Sequence, residues 1–130
     1  MNKKAEELLR ENSKVLVAKA IELAKKLVEN KKDTKSVTQL RNFLEVVQAA
    51  SCPEEVELYL NYVKAKKGTR DFWEKTAEEA KRKLNEITNL VKESTKGMNL
   101  SGEEKDELIK KHYEKFVGYL IWQYTCLAAS

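Results

Sequence analysis

Proline occurs once and glycine four times in this chain of 130 residues. An all-β fold needs turn formers in larger supply, so that class is excluded, and with it collagen and low-complexity linkers. Cysteine occurs only at Cys52 and Cys126, never as C-x-x-C, and the sole imidazole is His112. One histidine cannot complete a Cys/His zinc set, so both cysteines read as reduced thiols of a cytosolic protein. Long hydrophobic runs are missing too. The longest mostly apolar stretch, Phe116 to Ala129, is 14 residues, against the ~20 that a bilayer demands. The first residues, Met-Asn-Lys-Lys-Ala-Glu-Glu, are charged and lack the apolar block of a signal peptide. The expectation is a cytoplasmic chain that neither crosses nor binds a membrane.

What is present suits a helical protein. Hydrophobic residues make up 42% and charged residues 35%, enough of both for a core and a solvated surface, and too apolar for a disordered chain. The length fits one domain over 1–130. Five helical segments can be read. The first covers about 4–29, where Leu9, Leu16, Ala20, Leu23 and Leu27 fall on one stripe, widened by Val17, Ile21, Ala24 and Val28. A polar, basic connection follows, and the helical core then runs over 36–128. Ser36 and Gln39 have the spacing of a capping box, ahead of a stripe formed by Val37, Leu40, Leu44 and Val47 with Phe43 beside it. Ser51-Cys52-Pro53-Glu54 starts the third helix, since proline lacks an N–H where none is needed. Its inward residues are Val56, Tyr59, Leu60 and Val63, and Gly68 is placed for a C-cap with positive φ. In the fourth helix Trp73, Ala77, Ala80, Leu84, Ile87 and Val91 are spaced 4, 3, 4, 3 and 4. Ser101 with Glu104 announces the fifth, which turns almost wholly apolar from Phe116; such a helix must be surrounded by other helices or covered by a partner. No strand pattern survives. The expected fold is all-α, a compact bundle of about five helices joined by short connections, so that neighbours run mostly antiparallel.

Familiar catalytic chemistry has no foothold. There is no G-x-S-x-G, Walker A, G-x-G-x-x-G or H-E-x-x-H, and no Glu-x-x-His pair that would support a di-iron site. His112, between Lys111 and Tyr113, reads as a structural or surface histidine. No catalytic residue, metal ligand, cofactor or small-molecule substrate is expected, and the chain reads as a non-enzyme.

The basic residues say more. The chain carries 25 Lys and Arg against 21 Asp and Glu, a net of +4. Residues 31–41 hold Lys31, Lys32, Lys35 and Arg41 against Asp33 alone. Residues 64–83 hold Lys64, Lys66, Lys67, Arg70, Lys75, Lys81, Arg82 and Lys83 against four acids, a local net equal to that of the whole protein. In an up-and-down bundle the first and third connections share an end, which would gather these cations where they could track a phosphate backbone through charge and counterion release. The alternative is a solvated face. Glu78 with Arg82, Glu79 with Lys83 and Arg41 with Glu45 all have helical i, i+4 spacing. Trp73 fits the fourth stripe as core, Phe72 is open to either assignment, and Tyr119 and Trp122 suit a core or a subunit contact.

Ser36-Val37-Thr38-Gln39-Leu40-Arg41-Asn42-Phe43 is similar to the Thr-x-Gln-Ile/Leu-Arg helix start of the small subunits of type III CRISPR effector complexes, the III-A type in particular. The Tyr- and Lys-rich helix Tyr59-Leu60-Asn61-Tyr62-Val63-Lys64-Ala65-Lys66 resembles the family's next helix, and Lys115-Phe116-Val117-Gly118-Tyr119-Leu120 its last. The match in order and length covers about 30–126. It departs at Trp122-Gln123-Tyr124-Thr125-Cys126-Leu127, which is uncharged where the family carries a basic run. The resemblance implies a non-catalytic subunit that stacks with copies of itself as an inner filament, beside other effector-complex subunits, and helps hold the duplex of guide RNA and target RNA. It implies that Arg41 faces RNA, while Gln39 serves as a cap. The RNA-binding set expected from charge and resemblance together is Lys31, Lys32, Lys35, Arg41, Lys64, Lys66, Lys67 and Arg70, and the subunit-interface set is Tyr119 and Trp122. The competing reading is a helical protein–protein interaction module, an adaptor or antitoxin-like bundle, without RNA binding.

Overall fold

A computed structural model describes residues 3–30 and 36–129. Lys31, Lys32 and Lys35 of the expected RNA-binding set lie outside the described residues. The described residues form six helices: α1 (Lys3–Glu11), α2 (Ser13–Asn30), α3 (Val37–Ala49), α4 (Pro53–Ala65), α5 (Arg70–Ser94) and α6 (Gly102–Ala129). Among the described residues there is no strand, and no helix is long and apolar enough to cross a membrane. The fold is all-α, as the stripes and the scarcity of turn residues require.

The count exceeds five because the first predicted helix breaks at Asn12. The Ser13 hydroxyl donates to the Arg10 carbonyl at 2.7 Å, and the Asn12 side chain turns inward, 8% exposed. Two other local expectations fail. Ser36 already has helical backbone (φ −68°, ψ −15°) and makes no capping bond; a capping hydroxyl needs an extended backbone to reach back. The Gln39 amide oxygen is instead buried without a partner. Gly68 is not the left-handed cap either, since Gly97 alone among the described residues has positive φ. The chain leaves α4 through an extended Lys66 (φ −71°, ψ 130°). Ser101 and Glu104 do form the expected capping box: the Ser101 N–H donates to the Glu104 carboxylate at 3.0 Å, and the Glu104 N–H to the Ser101 hydroxyl at 3.1 Å.

The helix α6 is the hub. Leu108, Phe116, Val117, Leu120 and Tyr124 on it are fully buried, and α2, α3 and α5 pack along it. The chain's own helices therefore surround the apolar segment, apart from one outer stripe. Direction follows from side-chain pairs. Lys19 meets Glu86, Glu22 meets Lys83 and Lys26 meets Glu79, so α2 runs antiparallel to α5. Asn61 meets Lys81 and Lys64 meets Glu78, so α4 also runs antiparallel to α5. The C-terminal ends of α2 and α4 thus lie at the same end of the bundle as the start of α5, as the up-and-down expectation requires. Phe43 of α3 stands edge-on to Trp73 of α5 and stacks with Tyr59 of α4, fixing α3 beside both. Phe72, open on sequence, is core, edge-on to Trp73 and Tyr124. Val17 and Ile21, expected to widen the first stripe, lie at the surface.

Leu120 is 1% exposed and Trp122 70%, two residues apart on one helix. Leu120→Ala is expected to cost ~2–5 kcal/mol in denaturant unfolding, through lost burial and the cavity left behind. Trp122→Ala should stay within about 0.5 kcal/mol of wild type.

Candidate functional site

Seven of the eight cations over 64–83 fall into two groups, and Lys75, exposed on α5, stands outside both. Lys64, Lys81, Arg82 and Lys83 belong to the framework. The Lys64 ammonium donates to the Glu78 carboxylate at 2.6 Å, and that bond, with Lys81 adding to it, holds the Glu78 carboxyl below the usual carboxylate range. Lys81 donates to Asn61. Arg82 donates to both oxygens of Glu79 at 3.1 Å. Lys83 is 4% exposed and lies 2.9 Å from Glu22 on α2, lowering the Glu22 carboxyl through that bond and its charge. The i, i+4 pairs expected at Glu78/Arg82, Glu79/Lys83 and Arg41/Glu45 are not among the ion pairs formed. Glu78 and Lys83 find partners on neighbouring helices and Arg82 pairs with Glu79 three residues back, whereas Arg41 makes no ion pair among the described residues.

Lys66, Lys67, Arg70 and Arg41 form the other group. All four are exposed and make no ion pair among the described residues. The turn carrying the first three is held by hydrogen bonds. The Arg70 N–H donates to the Lys66 carbonyl at 2.9 Å, and the Thr69 hydroxyl to the Val63 carbonyl at 2.7 Å. With its hydroxyl so engaged, Thr69 does not cap α5, and the positive end of the α5 dipole opens into the same turn. Asp71 is the acid that stands closest in sequence. Arg41 is at the same end on another flank. It follows Leu40 on α3, about 160° around the helix from the Phe43 ring that meets α4 and α5. The structure therefore brings Lys66, Lys67 and Arg70 together and sets Arg41 apart.

Sequence reasoning missed one residue here. Tyr62 is 55% exposed, and the Lys66 ammonium lies 5.6 Å from the centre of its ring. A signal was available: Tyr62 falls off the stripe of Val56, Leu60 and Val63, four residues before Lys66. Elsewhere, a groove of about 540 Å³ between α4 and α5 is lined by Glu54, Glu57, Glu78, Lys81 and Arg82, with Tyr113 and Thr88 among its walls. Its cations are the framework ones, already paired.

Of the expected interface pair, Tyr119 is half-buried and Trp122 exposed, their rings 5.9 Å apart and angled. Both stand on the outer stripe of α6.

Compared with models of known protein families, with curated proteins and with solved structures, the chain matches none.

His112 is structural. It is fully buried, with Nδ1 2.8 Å from the Leu108 carbonyl and Nε2 3.1 Å from the Asn12 amide nitrogen. A carbonyl only accepts, so Nδ1 carries the proton and Nε2 accepts from Asn12. That amide nitrogen also lies 3.4 Å from the Ser94 hydroxyl. Burial pushes His112 below the usual 6.5, outweighing the Leu108 bond, and Lys115 adds to the lowering. The unfolded chain therefore takes up this proton at a higher pH than the folded one. Stability contributed by neutral His112 is complete above about pH 6.5 and is lost as pH falls toward the lowered folded value. Between pH 7 and pH 5 the wild-type melting temperature should drop, and His112→Gln should flatten that drop. Thermal melts across this window check it.

Proposed function

We propose that this chain is a non-catalytic small subunit of an RNA-guided type III CRISPR effector complex, contributing to an inner filament that holds the duplex of guide and target RNA through sequence-independent phosphate contacts. The observation that carries the reading is the set of exposed cations without ion-pair partners among the described residues at one end of the bundle: Lys66, Lys67 and Arg70 on the α4–α5 turn, with Arg41 on α3. The resemblance of residues 36–43 and 59–66 to the family's helices also supports it. Phosphate contacts position a nucleic acid without reading bases and weaken steeply with salt. Lys64 contributes less than its neighbours in this reading, because Glu78 neutralises it.

Combined reversal, Lys66→Glu with Lys67→Glu and Arg70→Glu, should lower target-RNA affinity of the reconstituted complex several-fold or more and flatten its salt dependence. These exposed positions should leave the fold intact. Affinity equal to wild type at every salt concentration would reduce the turn to a solvated surface.

A second reading, a helical protein–protein interaction module, is favoured by one observation, the exposure of Trp122 beside Tyr119. Exposed Trp and Tyr are common anchors of subunit contacts. Under either reading, Trp122→Ala should weaken assembly with partner subunits by ~2 kcal/mol or more, measured by sedimentation. Assembly without RNA affinity would favour the interaction module.

A further inference from the structure

The α4–α5 turn carries an aromatic ring as well as cations. Tyr62 stands on the outer face of α4, away from buried Val56, Leu60 and Val63, with exposed Leu58 one turn before it. A tyrosine with more than half its surface in water contributes little to the core. Its position is nevertheless closely controlled. The Tyr62 carbonyl accepts from the Lys66 N–H at 2.9 Å, the Lys66 carbonyl accepts from the Arg70 N–H at 2.9 Å, and Thr69 ties the turn back to Val63. One hydrogen-bonded path thus links the ring-bearing residue to Lys66 and Arg70. The Lys66 ammonium over the ring adds a cation–π contact, and more than half of the Tyr62 surface stays open to solvent.

This arrangement combines the two parts of a site for single-stranded nucleic acid: cations that follow the backbone and an aromatic face on which a base stacks. Phosphates held by Lys66, Lys67 and Arg70 would run within one helical turn of the Tyr62 ring. A base within a duplex is stacked on both sides and offers no free face. A base that is unpaired or splayed out does. We infer that Tyr62 is a stacking platform for an unpaired base of a bound RNA strand, adjoining the phosphate contacts of Lys66, Lys67 and Arg70. The inference rests on the RNA reading above for its ligand class and goes beyond it in requiring a base as well as phosphates. Because every base has a π face, such stacking is compatible with binding that ignores sequence.

The test uses the full chain with two probes, a short labelled oligouridylate and inorganic polyphosphate, which has the charge but no bases. Tyr62→Ala should weaken oligouridylate binding about five-fold or more and leave polyphosphate binding unchanged. Tyr62→Phe, which keeps the ring, should bind both probes as wild type does. Tyr62→Leu, which keeps apolar bulk on the helix, should behave as Tyr62→Ala and guards against a folding defect, with circular dichroism melts as the control. Oligouridylate affinity unaltered in Tyr62→Ala and Tyr62→Leu would overturn the stacking role while leaving the phosphate contacts standing. Equal losses for both probes would also overturn it, by showing that the residue acts through charge or shape. A wild-type chain that binds neither probe would overturn the phosphate contacts and the platform together.

Discussion

Burial of α6 is the constraint on which the rest of the molecule depends. From Phe116 onward this helix is apolar on three sides, and Phe116, Val117, Leu120 and Tyr124 leave water entirely. Each such side chain gains roughly 1.5–3 kcal/mol by burial, but only if neighbours reach it from several directions. The helices α2, α3 and α5 do so. Once they are wrapped around α6, short connections leave little freedom in direction. Both α2 and α4 then oppose α5, and their C-terminal ends meet its start. The basic end of the molecule is a consequence of how the hub is covered.

The same packing sorts the charges. Where a lysine of α5 faces α2, it is drawn into a ladder of pairs: Lys83 with Glu22, and Glu86 and Glu79 with Lys19 and Lys26. Lys83 is almost fully buried, so its partner offsets a desolvation penalty that a lone ammonium would bear. Where the chain turns between α4 and α5, no acid on a neighbouring helix pairs with the cations, and Lys66, Lys67 and Arg70 stay in water. Charge number alone does not separate these groups. Position relative to the neighbouring helix does.

Much of this was legible in the sequence. The 4-and-3 spacing from Trp73 to Val91 marks α5 and its buried face, and Ser101 with Glu104 marks the start of α6 in both pattern and geometry. Properties that depend on distant residues were not legible. The break at Asn12 interrupts a continuous apolar stripe because its amide meets His112 and approaches Ser94, partners 100 and 82 residues away in sequence. Ile21 continues a helical pattern yet faces water, because α6 and α5 occupy the other sides of α2. Exposure of Arg41 follows from the stripe of α3, but its separation from the α4–α5 turn depends on which helices receive Phe43. Tyr62 lay in plain view off its stripe, and its link to the cations emerged only with the geometry of the turn.

The central claim is that the α4–α5 turn faces RNA while the opposite end of the bundle does not. Amine-reactive footprinting of the assembled complex, with and without target RNA, tests this most directly. Lys66 and Lys67 should lose reactivity when RNA is bound. Lys96, on the α5–α6 connection at the far end, should react equally in both states, and buried Lys83 should react in neither. Undiminished reactivity of Lys66 and Lys67 in a complex that demonstrably holds target RNA would contradict the account.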